Sequence, residues 1–132
     1  MKMKHFVNRL DHAKIIKAIK EAEQKTSGPV RLYVSHRAVK DPIKAARWAL
    51  ARLGIHKHPD QNGVVIFVAP EAQKFAVIGD KRIHEKLKDE FWVQVVALIG
   101  EHFKTGEFTV GIVSAIAKVG QASEQLNKTA PT

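Results

Sequence analysis

Two short apolar runs separated by a polar turn, within Gln61 to Glu85, constrain the fold more than any other part of the sequence. The first run, Val64 to Ala69, carries no charge, which indicates a strand buried on both faces. The turn at Pro70 to Gln73 is short, so the second run, Lys74 to Gly79, must return antiparallel beside the first. The stretch therefore predicts a β-hairpin that includes the central strand of a sheet.

A strand and a helix are predicted before this hairpin. Residues Val30 to Ser35 alternate in polarity with the period of a strand. Asp41 followed by Pro42 predicts a helix start, because the carboxylate can accept hydrogen bonds from free amides and proline lacks an amide there. The helix should end near Leu53 and bury Ile43, Ala46, Leu50 and Leu53. A strand, a helix and a strand in this order form a right-handed crossover, so the first two strands should be parallel.

Further helices complete the predicted fold. One begins at Asn8 or Asp11 and ends near Lys25, and two more follow Asp80, separated by Gly106. Trp48 and Trp92 are expected in the core or at its edge. We predict an α/β protein: a single three-layer α/β/α sandwich whose small mixed sheet has two parallel strands plus an antiparallel hairpin strand. Residues 1–120 should form this domain, and residues 121–132 a polar C-terminal tail.

Composition narrows the functional classes. The chain has 132 residues, no cysteine and a formal net charge of +9. The missing thiols exclude disulfides and cysteine-ligated metals and favour a reducing compartment, so we expect a cytoplasmic protein. The apolar runs are too short for an export signal or a transmembrane segment, and we expect neither. The charge attracts anionic partners in general, but few aromatic residues accompany the basic ones, so nucleic acid is an unlikely partner.

Polar residues should converge at one end of the predicted sheet. The topology brings together the residues before the first strand, those before the second and those after the third. Oxygen ligands of the kind that calcium or magnesium prefers occur in these segments. The candidate metal ligands are Glu23, Asp60, Asn62, Asp80 and Glu85.

Plainer interpretations of the same residues stay open. Asn62-Gly63 and Gly79-Asp80 are also ordinary turn sequences. His56 and His58 lack the spacing of a transition-metal site. His84 is either a general acid or a loop side chain.

Several blocks of the sequence resemble the TPM domain family. They are AEQKTSG from Ala22, NGVVIFVAP from Asn62, KFAVIGDKRIHEKL from Lys74, FWVQVV from Phe91 and HFKTGEFTVGIVSAI from His102. The resemblance implies a single α/β/α domain, here of the short soluble branch. For the family it also implies acid phosphatase activity, divalent-cation binding, or assembly and repair of membrane complexes.

The resemblance defines the functional hypotheses. We expect a weak calcium, magnesium or phosphate site, with Asp80 and Glu85 as catalytic residues if the chain is a phosphatase-like hydrolase, and Lys81 and Arg82 as phosphate-binding residues. Gln61 and Arg82 stand where family members commonly have aspartate and glycine, and both changes weaken a metal site. The alternative is a non-enzymatic adaptor or assembly factor that binds a protein partner or a membrane complex through its basic surface.

Overall fold

The computed structural model describes residues 1–129, and the side chains of residues 1–126. The described residues form five α-helices and three β-strands. They are α1 (Met3–Asn8), α2 (His12–Lys25), β1 (Val30–Val34), α3 (Pro42–Arg52), β2 (Val64–Ala69), β3 (Lys74–Gly79), α4 (Lys81–Lys104) and α5 (Phe108–Thr129), with a short 3-10 helix at Ile55–Lys57.

The sheet has the strand order β1-β2-β3. Strand β1 pairs with β2 in parallel, with Val30 opposite Val64, and β2 pairs with β3 antiparallel, with Val64 opposite Gly79. Every residue of β2 is buried, as its uninterrupted apolar sequence predicts. The predicted mixed sheet is confirmed, and β3 lies at an edge.

Two cores lie on opposite faces of the sheet and define three layers. One face packs against α1, α2, α4 and α5, with Ile66, Ile99 and Ile116 at its centre. The other face packs against α3 and the 3-10 helix through Ala46, Ala49, Leu50 and Ile55. The predicted α/β/α sandwich is therefore confirmed.

Aspartate side chains begin three of the helices. Asp11 accepts a hydrogen bond from the Lys14 amide, and Asp41 accepts from the amides of Ile43 and Lys44. Asp80 caps α4 by accepting from the Lys81 amide. Each cap supplies an acceptor to amides that have no partner within the helix.

Helix α3 buries a narrower stripe than its periodicity predicts. Ala46, Ala49 and Leu50 are buried, but Ile43 and Leu53 are exposed. Trp48 is exposed as well, although its ring packs edge-on against Tyr33. The prediction that Ile43 and Leu53 are buried is wrong, because the small side chains of α3 bring it close to the sheet and leave its flanks uncovered.

The C-terminal helix continues beyond the predicted end of the domain. Helix α5 runs to Thr129, so the first part of the segment 121–132 is helical, and Ser123 within it is buried. Residues 130–132 lie outside the described residues. Among residues 1–129, no helix is long and apolar enough to cross a membrane.

Candidate functional site

The three polar segments meet at one end of the sheet. The Asp80 amide donates to the Gly63 carbonyl at 2.8 Å, which joins the residue after β3 to the residue before β2. The Asn62 side-chain amide donates to Ser27 Oγ, which joins the turn before β1 to the same region. Chain segments far apart in the sequence therefore form one continuous polar edge.

Close backbone contact holds this edge together. A Cβ atom at Gly28 would lie 2.4 Å from the carbonyl carbon of Asn62 and 2.6 Å from the amide nitrogen of Gly63. Only glycine lets two backbones approach so closely. The position of Asn62 is therefore fixed by the turn before β1.

Two buried side-chain oxygens at this edge, Asn62 Oδ1 and Asp80 Oδ2, have no hydrogen-bond donor among the described residues. Leaving a buried acceptor unpaired costs about 1–3 kcal/mol, so such atoms usually bind water, a cation or a ligand. The two atoms belong to different surroundings. Asn62 lines a cavity of about 20 Å³ with Ser27 and Ser123, whereas Asp80 lines a much larger groove.

The groove runs between α3 and α4 beside β3 and has a volume of about 750 Å³. Its end is formed by the start of α4, where Asp80, Lys81, His84 and Glu85 all line the wall. The His84 ring stacks on Trp92, with 5.9 Å between centroids. The structure thus brings together both predicted catalytic carboxylates, one predicted phosphate-binding lysine and the histidine of the same helical turn.

The backbone amides at the start of α4 already have acceptors. The Lys81 amide donates to Asp80 Oδ1, the amides of Arg82 and Ile83 donate to the Gln61 carbonyl, and the His84 amide donates to the Asp80 carbonyl. A phosphate group could therefore be held here only by side chains. Lys81 and Arg82 are both exposed, but only Lys81 lines the groove.

Glu23 has a different set of contacts. Its Oε2 accepts from the Val30 amide at 2.9 Å and from Arg31 Nη1 at 2.6 Å. These bonds satisfy the first outward-facing amide of β1 and place an ion pair over that edge. The carboxylate is therefore engaged at the edge of β1.

The remaining predicted ligand, Asp60, is half-buried, and its backbone amide donates to His58 Nδ1 at 3.4 Å. Within the described part of the chain, no three acidic or histidine side chains are grouped so that they could hold a metal ion. Asp80 and Glu85 are the two carboxylate residues that line the groove. Mg²⁺ commonly uses one or two carboxylates together with water and phosphate oxygens.

The sequence did not single out the groove itself. Its walls come from Ile43 and Arg47 on α3, from the edge of β3, and from Trp92 and Val93 on α4. The predicted strand order already places β3 beside β2 with a free edge. Exposure of Ile43 and Val93, which would have revealed the groove, depends on the tilt of the helices and not on their periodicity.

Comparisons with known proteins agree with this architecture. The NMR structure of the BA42 protein from the psychrophilic bacterium Bizionia argentinensis is similar, with a TM-score of 0.79 and 33% sequence identity over 89% of this chain and 83% of that chain. The N-terminal domain of the cg2496 protein from Corynebacterium glutamicum shares the fold, with a TM-score of 0.64 and 14% identity over 91% and 74% of the two chains. No curated protein matches the chain.

The sequence profile of the TPM domain matches residues 2–122, which include every strand and all of the polar edge described above. The match spans most of the chain, and a relative with 33% identity shares the fold over most of its length. The chain belongs to the TPM domain family.

Proposed function

We propose that this TPM domain binds a divalent cation, weakly and together with a phosphorylated ligand, at the groove end formed by Asp80, Lys81 and Glu85. The observation that carries the proposal is Asp80 Oδ2, a buried carboxylate oxygen that has no hydrogen-bond donor among the described residues. Its partner oxygen, Oδ1, is occupied by the Lys81 amide, so Oδ2 is the free ligand of the pair.

Magnesium fits this position better than calcium. Calcium takes about 6 to 8 oxygen ligands, largely from the protein, whereas magnesium keeps several waters and often shares phosphate oxygens with its ligand. The groove end offers two carboxylates, from Asp80 and Glu85. A millimolar affinity for the ion alone, strengthened by a phosphate group, follows from so few protein ligands.

Phosphatase-like hydrolysis is the reaction that this arrangement would serve. A bound cation would polarise the phosphoryl group and help to activate water. Lys81 would offset charge on the phosphate oxygens, and His84, half-exposed above Trp92, would donate a proton to the leaving oxygen. The apolar walls of the groove would receive the organic part of the ester.

The Asp80→Asn variant tests the site. Asparagine caps a helix as well as aspartate does, so α4 should stay folded while the charged ligand is lost. We expect calorimetric titration with MgCl₂, in the presence of inorganic phosphate, to show at least tenfold weaker binding than for the unaltered chain. Glu71→Gln, which removes a charge in the exposed hairpin turn, is the matched control and should bind normally. Equal affinity in Asp80→Asn and the control would refute the site.

A gain of affinity is expected from Gln61→Asp. Gln61 has a positive φ of 53°, a conformation that aspartate adopts more readily, and its carbonyl accepts from the amides at the start of α4. The substitution restores a carboxylate that TPM domains commonly carry. Cation binding should tighten by about tenfold, the effect of one added carboxylate a few ångströms from the cation in largely aqueous surroundings. Gln61→Asn provides the uncharged control, and hydrolysis of p-nitrophenyl phosphate by the same variants tests the catalytic part of the proposal.

A non-enzymatic adaptor is the second candidate function. Large apolar side chains are exposed on both sides of the groove, at Ile43 (53%) and Val93 (68%), and such positions favour a protein partner. In that case binding of the partner should survive Asp80→Asn. Pull-down of one purified partner by both forms would separate the adaptor from the cation-dependent function.

A further inference from the structure

Strand β3 leaves a row of backbone groups unpaired along the groove. The Asp80 amide donates to the Gly63 carbonyl, and these two residues are the next pair in the register after Val64 and Gly79. Because hydrogen-bonded pairs alternate along an antiparallel ladder, alternate residues of β3 turn their backbone groups towards β2. The other residues of the strand point their N–H and C=O groups outwards. These are Phe75, Val77 and Gly79, and within the described residues their outward groups have no hydrogen-bond partner.

Apolar walls flank this free edge on both sides. Ile43 and Leu50 of α3 form one wall, and Trp92, Val93 and Val96 of α4 form the other. An exposed strand edge is usually protected by charged side chains or a covering segment, as Glu23 and Arg31 protect the start of β1. The edge of β3 has an apolar groove in place of such protection.

Trp92, which lines the groove, also has a buried indole N–H without a partner among the described residues. The residue is only 6% exposed. The edge of its ring lies against Gly79, because a Cβ there would be 2.8 Å from Trp92 Cζ2. A buried donor without an acceptor is destabilising, so a ligand carbonyl that reached this N–H would stabilise the complex.

We propose that the groove beside β3 binds an extended, acidic and apolar peptide segment of another protein, which pairs with β3 as a fourth strand. Strand addition satisfies the backbone groups of Phe75, Val77 and Gly79, and alternate apolar side chains of the peptide fill the groove. This proposal deepens the adaptor function and uses the same apolar walls that would receive the organic part of an ester, but it does not require a cation at the groove end.

The cation on the α3 wall and the formal charge of +9 of the chain favour an acidic partner. Arg47 is the charged side chain that α3 contributes to the groove wall, and Lys44 is exposed on the same helix. At the groove end, Lys81 is accompanied by Asp80 and Glu85, so the favourable position for a peptide carboxylate is opposite Arg47. A second copy of the chain would bring another formal charge of +9 to the same edge, which opposes pairing of two β3 strands.

The probe is a capped seven-residue peptide of alternating valine and glutamate. Fluorescence anisotropy with a dye-labelled form of this peptide should show saturable one-to-one binding, with a Kd on the order of 100 µM. The amide signals of Phe75, Val77 and Gly79 should shift in ¹⁵N-resolved NMR spectra, and their hydrogen exchange should slow. A peptide with proline at the alternate positions that face β3 lacks the N–H groups that would pair with the strand and should bind at least tenfold more weakly.

Two matched pairs of surface variants locate the binding. Val93→Glu and Arg47→Glu should each weaken the peptide at least tenfold, because one places a carboxylate in the apolar wall and the other reverses the attractive charge. Val110→Glu on α5 and Arg52→Glu at the end of α3 make the same changes outside the groove and should bind normally. All four positions are exposed, so circular dichroism should show a folded protein in every case.

Three results would overturn the proposal. One is the absence of binding at millimolar peptide, and another is binding that leaves the amides of Phe75, Val77 and Gly79 unchanged. The third is protection of these amides in the absence of peptide, if that protection increases with protein concentration and sedimentation shows a dimer. That last result would identify a second copy of the chain as the occupant of the groove.

Discussion

At Gly28 the turn before β1 runs against the peptide group between Asn62 and Gly63, with no room for a side chain. Gly28→Ala should therefore lower the free energy of unfolding by about 2–3 kcal/mol, since the added atom meets backbone that cannot rotate away. Urea unfolding followed by circular dichroism measures the change. The substitution should also disturb the polar edge, because Asn62 would have to move.

Gly100→Ala is the matched control for this change. Gly100 lies inside α4, and a Cβ there would meet only Phe75 Cζ at an ordinary contact distance of 3.4 Å. Alanine is favoured over glycine in a helix interior by about 1 kcal/mol, so this variant should be more stable than the unaltered chain. A Gly28→Ala variant that is as stable as the unaltered chain would contradict the backbone contact at Gly28.

Glu107 gives the chain a defined response to acid. The Thr105 hydroxyl donates to Glu107 Oε1 at 2.8 Å, and this hydrogen bond, followed by the one with His102, holds the pKa of the carboxyl below its ordinary value. Since the folded-state pKa is lowered, the carboxylate stabilises the fold above the unfolded pKa, and this contribution disappears as pH falls through the folded pKa.

Thr105→Val should raise the pKa of Glu107, because it removes the largest cause of the shift. An NMR titration of the Glu107 side-chain carbon measures it, and the other carboxylates in the same spectra provide the reference. An unchanged titration curve would contradict the assigned hydrogen bond.

At the scale of the secondary-structure elements, helix α4 contains a break that its sequence does not predict. Lys88 has φ 58° and ψ 159° within the helix, a conformation that is essentially restricted to glycine. Such a residue costs of order 1–3 kcal/mol, so Lys88→Gly should stabilise the protein by about 1 kcal/mol. Chemical unfolding measures this gain.

Ala97→Gly, at an exposed position of the regular part of α4, is the control for Lys88→Gly. It should destabilise the protein by about 1 kcal/mol, because glycine is a poor helix former. If both glycine variants lose stability, the backbone at Lys88 is helical in solution and the break is absent.

The accuracy of the sequence-based prediction differs among the elements for physical reasons. The bounds of β2 and β3 are confirmed, because an uninterrupted apolar run and a short turn leave few alternatives. The sequence does not predict helix α1, since six residues carry too little periodicity to recognise, although Phe6 within it is buried. The sequence does not predict the break at Lys88, because neither proline nor glycine marks it.

The sequence predicts which chain segments lie together at the candidate site, but not which side chains contact each other there. Chain order and strand direction place the residues after β3 beside those before β2, and the hydrogen bond from Asp80 to Gly63 reflects that placement. The partner of an individual carboxylate depends on side-chain geometry that no spacing reveals. Glu23 illustrates this, since Arg31 and the Val30 amide hold it at the edge of β1.

For the molecule as a whole, the charge of +9 opposes the compact state through repulsion among its cations. Added NaCl screens that repulsion over roughly 8–10 Å at physiological salt, so the urea midpoint should rise between low salt and 0.15 M NaCl. The double variant Lys17→Glu and Lys20→Glu, on the exposed side of α2, should show a smaller rise. A midpoint that falls with salt would mean that favourable ion pairs outweigh the repulsion.

Because the backbone groups alternate in direction along β3, its free edge also favours one register for a strand that pairs with it. The α3 wall holds a cation at Arg47, whereas the α4 wall holds the indole of Trp92 and the aliphatic Val96. A strand displaced by one residue turns every side chain to the opposite face. A bound segment moved by one position would therefore present its acids to Trp92 and its apolar residues to Arg47. The edge would therefore distinguish two segments of identical composition whose acidic and apolar residues alternate in opposite order.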